Sequence, residues 1–194
     1  MSIGYLAWAI GEILWTFNDI ILKTNPFPSG ADIFYVAAYI PLLTGLWIEY
    51  KIIKETATRK DILKAALLTF AITVISGFLV LIPLVAASDY DVLSKGLSLF
   101  YPIADLLVLF PALMLFFVFN KKKLPRYWLM SKSWLIITIA IALWTAADLL
   151  FAYLDWNELY SGIPLMLTEL AWLCNYLLFS FGAYYHRLIA RGEI

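Results

Sequence analysis

Cysteine and histidine are almost absent from this chain, which has one of each in 194 residues. The single cysteine, Cys174, excludes a disulfide framework within the chain and a cysteine-based metal site. The single histidine, His186, excludes a histidine cluster, so a metal site would have to use oxygen ligands alone. We therefore expect neither a metal ion nor a cofactor.

Charged residues are also scarce. They make up 14% of the chain, whereas hydrophobic residues make up 63%, and the mean hydropathy is +0.85. Soluble domains contain about 25% charged and about 45–50% apolar residues. The composition therefore predicts an integral membrane protein. The 14 basic and 14 acidic residues cancel, so the charge balance does not support a nucleic-acid partner.

Six apolar segments are long enough to cross a bilayer, which needs roughly 20 residues per helix. Proline, glycine and charged residues separate these segments. The sequence predicts an all-α, polytopic membrane helix bundle with six transmembrane helices, and residues 1–194 form a single integral membrane domain. The predicted helices cover about 3–22, 31–50, 62–87, 96–119, 134–154 and 164–185.

Lysine and arginine are distributed unevenly between the two sides of this predicted topology. One side holds only Lys23 and Lys95, and the side with both termini holds the other twelve basic residues. Because cytoplasmic loops carry an excess of lysine and arginine, we expect a multi-pass protein of the cell membrane with cytoplasmic N- and C-termini. The twelve are Lys51, Lys54, Arg59, Lys60, Lys64, Lys121, Lys122, Lys123, Arg126, Lys132, Arg187 and Arg191.

Four acidic residues, Glu12, Asp105, Asp148 and Glu169, lie in apolar segments that contain no lysine or arginine. A carboxylate in hydrocarbon is costly, and such residues usually have a function. These carboxyl groups must be neutral and hydrogen-bonded, or face a water-filled cavity, or bind a cationic partner. In the predicted topology all four lie between the membrane midplane and the outer face, which predicts an outward-facing polar pocket.

Aromatic side chains share helical faces with these acids. Tyr101 precedes Asp105 by one turn, for example, which predicts a ligand-facing pair. Carboxylates beside aromatic faces suit a cationic or amphipathic small ligand, although structural polar links between helices and ordinary aromatic packing remain alternatives. No residue is predicted to be catalytic. The predicted ligand-binding residues are Glu12, Trp15, Tyr101, Asp105, Trp144, Asp148, Glu169 and Trp172.

Two pairs of segments are similar to each other. Residues 8–19 match residues 144–155 without a gap, and residues 32–50 match residues 169–187. Because consecutive helices match in the same order, the sequence predicts a parallel repeat in which helices 1–2 recur as helices 5–6. Chance similarity between apolar helices is the alternative. If the repeating unit has four helices, the chain is a shortened eight-helix architecture. The alignment pairs Glu12 with Asp148, Asp32 with Glu169, Tyr35 with Trp172 and Gly45 with Gly182.

Several motifs, in chain order, resemble the multi-helix membrane sensor region at the N-terminus of many bacterial and archaeal diguanylate cyclases and sensor histidine kinases. The resemblance implies a signal-input module that passes a conformational change from its membrane helices to a cytoplasmic output domain. It does not imply a particular ligand. The motifs are GEILW (11–15), PFPSGADIFY (26–35), YIPLLTGL (39–46), YPIADLLVL (101–109), ADLLFAY (147–153) and AWLCNYLL (171–178).

The sequence departs from such sensor regions at both ends. It stops at residue 194 without a kinase or cyclase domain, and it lacks one or two opening helices. We therefore expect a stand-alone member or an isolated sensor region. The expected partners are the lipid bilayer, a small molecule or lipid in the pocket, a cytoplasmic signalling domain, and further copies of the chain in a homo-oligomer.

Two other functions remain open. Residues 147–152, ADLLFA, are loosely similar to a motif of lysoplasmalogenases, which implies a membrane-embedded hydrolase whose paired carboxyl groups activate water. A cation or proton carrier would also explain unpaired acids within a repeat, but the inner half of the predicted bundle lacks acids for an exit path. We rank a sensor first, a hydrolase second and a carrier third, so an enzyme is the less favoured reading.

Overall fold

The computed structural model describes residues 1–87, 91–120 and 125–194, with side chains from residue 128 onward in the last range. In this part of the chain there are six long helices and no strand. The first, α1, comprises Ser2–Thr16 and continues as a π-helical segment, Phe17–Leu22. The others are α2 (Ala31–Ile53), α3 (Arg59–Ala86), α4 (Val92–Phe119), α5 (Pro125–Trp156) and α6 (Gly162–Arg191).

Five helices, α2 to α6, are long and apolar enough to cross a membrane. The first helix is the shortest, because its α-helical part, Ser2–Thr16, has only 15 residues before the π-helical segment begins. Large apolar side chains such as Ile40 and Leu177 are more than two-thirds exposed on the outside of the bundle. Such a surface suits hydrocarbon better than water. The helices are compatible with a membrane helix bundle and indicate a multi-pass membrane protein.

Most helices extend beyond the predicted apolar segments. The largest differences are in α5, which begins at Pro125 rather than at residue 134, and in α6, which ends at Arg191 rather than at residue 185. A helix satisfies its own backbone hydrogen bonds in water as well as in lipid, so it need not end where the hydrocarbon ends. The predicted loop residues Lys121, Lys122 and Lys123, and the side chain of Arg126, lie outside the described residues.

The central helix of the bundle is α4, whose most apolar stretch is 67% buried. It packs against α2, α3 and α5, while α1 packs along α2 and α5 along α6. Glycine permits a close approach between α1 and α2, since a Cβ atom on Gly4 would lie 2.9 Å from the carbonyl oxygen of Ala38. Small residues at helix contacts are typical of membrane bundles.

At the end of the bundle that holds the termini, a basal cluster (Glu49, Ser133 and His186) joins three helices. Nε2 of His186 on α6 lies 3.5 Å from Oε1 of Glu49 on α2. Its Nδ1 lies 3.1 Å from Oγ of Ser133 on α5. The helices that meet here also meet in a polar region at the opposite end.

Candidate functional site

An inner cavity of about 50 Å³ lies in the half of the bundle away from the termini. Ten aromatic and four acidic side chains line it. They come from five helices, α1, α2, α4, α5 and α6, and from the loop between α1 and α2. A space of this volume holds a few water molecules. The four acids are Glu12, Asp32, Asp148 and Glu169.

A wider vestibule of about 400 Å³ adjoins the inner cavity. The two spaces share an aromatic neck (Trp15, Phe27 and Phe151) and the side chain of Glu169. The vestibule then extends to the end of the bundle, where Asp19 is exposed. The arrangement is a funnel that narrows from a polar mouth to an aromatic interior.

Glu12, near the middle of α1, accepts two hydrogen bonds on the same oxygen. Tyr35 on α2 donates to Oε1 at 3.1 Å, and Tyr176 on α6 donates to it at 2.6 Å. Gly11 makes room for the first of these, because a Cβ atom there would lie 2.6 Å from Cε1 of Tyr35. No described residue donates to Oε2 of Glu12, which leaves this oxygen free at the cavity.

Asp148 on α5 accepts hydrogen bonds from two indoles. Nε1 of Trp172 on α6 donates to Oδ1 at 2.6 Å, and Nε1 of Trp144 donates to Oδ2 at 3.1 Å. Trp144 lies four residues earlier on the same helix, which brings the two side chains to the same face. Both oxygens of Asp148 are therefore occupied by uncharged donors.

The other two acids lie near the starts of their helices. Asp32 receives 2.6 Å hydrogen bonds from the Tyr101 hydroxyl on one oxygen and from the Ser29 backbone N–H on the other. Glu169 receives a 2.7 Å hydrogen bond on Oε1 from Tyr160, in the loop before α6. Burial and the contact with Glu169 raise the pKa of Tyr160, so this phenol keeps its proton and remains a donor.

Asp105 lies behind the cavity wall and is fully buried. Tyr39 donates to its Oδ1 at 2.6 Å, whereas its Oδ2 receives no hydrogen bond from the donors in the described part of the chain. The carboxyl group of Asp148 is a neighbouring charge. Two neighbouring carboxyl groups repel each other if both are ionised.

The structure brings seven of the eight predicted ligand-binding residues to the inner cavity, and Asp105 is the exception. Tyr101 lines the cavity but donates to Asp32 rather than pairing with Asp105. The seven are Glu12, Trp15, Tyr101, Trp144, Asp148, Glu169 and Trp172.

Several lining residues were missed by the sequence analysis, most clearly those of α2. Asp32, Tyr35 and Tyr39 are spaced by three and four residues, so they share one helical face, and this periodicity could have identified them. The other missed residues are Trp8, Phe27, Phe151 and Tyr176.

No lysine, arginine or histidine is among the described residues that line the inner cavity or the vestibule. The hydrogen-bond donors to the carboxyl groups are phenols, indoles and one backbone amide, none of which cancels a negative charge. Nor do the described residues contain a group of three or more histidine, cysteine, aspartate or glutamate side chains arranged for a metal ion. The chemistry of the site is that of an aromatic enclosure with excess carboxyl groups.

No protein-family model, curated protein or solved structure matches the chain. Its function is therefore inferred from the residues of this site.

Proposed function

We propose that the protein is a membrane sensor or receptor-like module that binds a small ligand in the inner cavity and signals to a cytoplasmic partner or output domain. The observation that carries the proposal is the cavity itself, which five helices build from aromatic and acidic side chains beside a wide vestibule. Ligand sites in proteins are typically concave and mostly apolar, with a few convergent polar groups.

The basal cluster supports the signalling part of this proposal. Glu49, Ser133 and His186 link α2, α5 and α6, and these same helices supply Tyr35, Asp148 and other cavity residues at the opposite end. A ligand that separates or draws together these helices changes both regions, because helices move as rigid elements. The basal cluster is thus a contact through which occupancy alters the cytoplasmic face.

The orientation is also proposed. The excess of lysine and arginine on the side with the termini supports cytoplasmic termini and a vestibule that opens outside the cell. The ligand then enters from the external medium or from the outer leaflet. An output domain in the same chain or a separate signalling protein, and a homo-oligomer of the module, complete the proposal.

Two related halves form the proposed pocket. In the repeat alignment, Glu12 and Tyr35 correspond to Asp148 and Trp172. Tyr35 donates to Glu12 at 3.1 Å, and Trp172 donates to Asp148 at 2.6 Å. Each half thus places an acid from its first helix against an aromatic donor from its second, which supports a parallel repeat.

Two glycines at the other end of the bundle also occupy equivalent positions in the two halves. A Cβ atom on Gly45 would collide with the side chain of Met1, and one on Gly182 would lie 2.8 Å from Cγ1 of Ile137. The alignment pairs Gly45 with Gly182, and its extension toward the N-terminus pairs Met1 with Ile137. The close contact between the two helices of each half therefore uses corresponding residues.

A panel of cationic, neutral and anionic small molecules tests the sensor proposal on the full chain in lipid nanodiscs. We expect at least one chemical class to raise the unfolding temperature saturably, because a ligand that binds only the folded state stabilises it by about 2.7 kcal/mol at a hundred times its Kd. Trp172→Phe should weaken this effect, whereas Tyr184→Phe, at an exposed position, should not.

The signalling part needs a second measurement. Spin labels attached at residues 54 and 191 report the spacing of α2 and α6 at the termini side, and we expect ligand to change this distance. Saturable binding with an unchanged distance would reject signalling, and the absence of binding by every class would reject the receptor.

A hydrolase is the second candidate, and the neighbouring carboxyl groups of Asp105 and Asp148 support it. One carboxyl group can act as a general acid and the other as a general base. Its test is turnover of lysophospholipids by the reconstituted protein, compared with Asp148→Asn. No turnover above that of the variant would reject this function.

A further inference from the structure

Free oxygen atoms in the cavity indicate the charge of the ligand. This step rests on the proposed ligand-binding function. Asp32 and Asp148 have both oxygens occupied, but Glu12 and Glu169 each accept hydrogen bonds from described residues on Oε1 only. Both glutamates line the inner cavity. Their Oε2 atoms remain available to a positive group that lies between them.

The aromatic side chains around the cavity indicate the chemical type of this positive group. Trp15 lies at the neck with its ring centroid 6.5 Å from Tyr35, 6.0 Å from Phe151 and 6.4 Å from Trp172. The negative faces of aromatic rings attract cations, and aromatic cages are a recurrent means of binding alkylated ammonium groups. The enclosed rings therefore suit a cation that has an apolar surface.

A metal ion fits this site less well. Magnesium and calcium need about six or more oxygen ligands in a shell, supplied by protein or retained water. Two free carboxylate oxygens among aromatic rings do not provide that shell. An alkylated ammonium ion spreads its charge over methyl or methylene groups, which pack on the rings while the carboxylates neutralise the charge.

We infer that the ligand of this site is an organic ammonium cation, whose alkylated head lies at the aromatic neck, where the vestibule meets the inner cavity, between Glu12 and Glu169. The acids of the vestibule, which include Asp19 and Asp155, attract the same charge at the mouth.

A pair of matched ligands tests this inference without any change to the protein. Choline is compared with its uncharged isostere, in which a carbon atom replaces the quaternary nitrogen. Binding to the full chain in nanodiscs is measured by calorimetry and by quenching of tryptophan fluorescence. We expect choline to bind at least about tenfold more tightly than the isostere, because only the charged ligand gains from the rings and carboxylates.

Variants then locate the charge and the ring contribution. Glu12→Gln keeps the shape of the side chain and an acceptor for Tyr35 and Tyr176, and we expect it to weaken choline binding about tenfold or more without changing binding of the isostere. Glu55→Gln, at an exposed position beyond the end of α2, is the matched control and should leave both affinities unchanged. Trp15→Leu should weaken choline binding, and Trp15→Phe should restore most of it.

The outcomes separate this inference from the proposed function. Equal affinity for both ligands, or saturable binding only of neutral or anionic compounds, would contradict the inference that the ligand is a cation. Neither result would contradict the proposal that the protein is a receptor. Choline binding that is unaffected by both Glu12→Gln and Glu169→Gln overturns the proposed position. If no member of the wider panel binds, the receptor itself is rejected.

Discussion

The phenolic hydroxyl of Tyr39 lies 2.6 Å from Oδ1 of Asp105, and both side chains are buried inside the bundle. This hydrogen bond joins α2 to the central helix α4. The carboxyl group of Asp148 on α5 is a neighbouring charge. Polar side chains from three helices therefore lie between the cavity wall and the core.

Tyr39→Phe should destabilise the protein by about 1–3 kcal/mol, because it leaves a buried carboxyl group without its donor. The measurement is thermal or denaturant unfolding in detergent micelles. Tyr184→Phe, in which the tyrosine is 59% exposed, is the matched control and should have little effect. Combining Tyr39→Phe with Asp105→Asn should cost less than the sum of the two single changes, and strict additivity would argue against the contact.

Gly11→Ala should destabilise the α1–α2 contact by about 1–3 kcal/mol, as overpacking commonly does. The added Cβ atom would lie 2.6 Å from the ring of Tyr35, so that ring must move away from Glu12. Ligand binding should weaken in the same variant. Gly96→Ala, where no neighbouring atom lies within 4 Å, is the control and should be neutral or stabilise α4 by about 0.5–1 kcal/mol. Equal effects of the two changes would contradict the packing of α1 on α2.

Asp91 should stabilise the start of α4 in a pH-dependent manner. Its carboxylate accepts hydrogen bonds from the backbone N–H and the hydroxyl of Ser94 and from the backbone N–H of Leu93, and these hold the pKa of Asp91 below its ordinary value of 3.8. For a lowered pKa, the stabilisation is complete above the ordinary value and is lost as the pH falls through the folded-state value.

Asp91→Ala should accordingly lower the unfolding temperature near neutral pH, and its difference from the wild type should shrink in acid below about pH 3.8. Asp91→Asn keeps a capping oxygen at every pH and should show a smaller loss. A difference between wild type and Asp91→Ala that stays constant through the acid range would exclude the charged cap.

The proposed orientation can be tested by labelling single cysteines from outside the cell. In a Cys174→Ser background, Lys23→Cys and Asn157→Cys should react with a membrane-impermeant maleimide on intact cells. Lys54→Cys and Arg191→Cys should react only after permeabilisation, since these positions lie at the other end of the bundle. The reverse pattern would place the vestibule in the cytoplasm.

Much of the helical architecture was predictable because its signals are local. An apolar run of sufficient length indicates a membrane helix, and residues such as Pro26 and Gly162 mark the breaks. The ends of α5 and α6 were not predictable from hydropathy, because a helix continues into water when its backbone bonds and polar side chains permit it. Loss of hydropathy marks the edge of the hydrocarbon, not the last helical residue.

The site was predictable only within each helix. Periodicity identified Glu12 with Trp15 and Asp148 with Trp144 as neighbours on one face. It could not identify the partner of Tyr101, which is Asp32 on another helix, because spacing along one helix does not tell which face of a second helix it meets. That information depends on packing between residues distant in sequence.

The narrowing from the vestibule to the inner cavity implies a selection by hydration. The mouth has about 400 Å³ for a solvated molecule, but beyond the neck only about 50 Å³ is open. A strongly hydrated ion loses much of its water shell at that point, and aromatic walls offer few oxygens to replace it. A weakly hydrated organic ion gives up little water and gains contact with the rings. The funnel thus favours solutes whose dehydration requires little free energy over metal ions of the same charge.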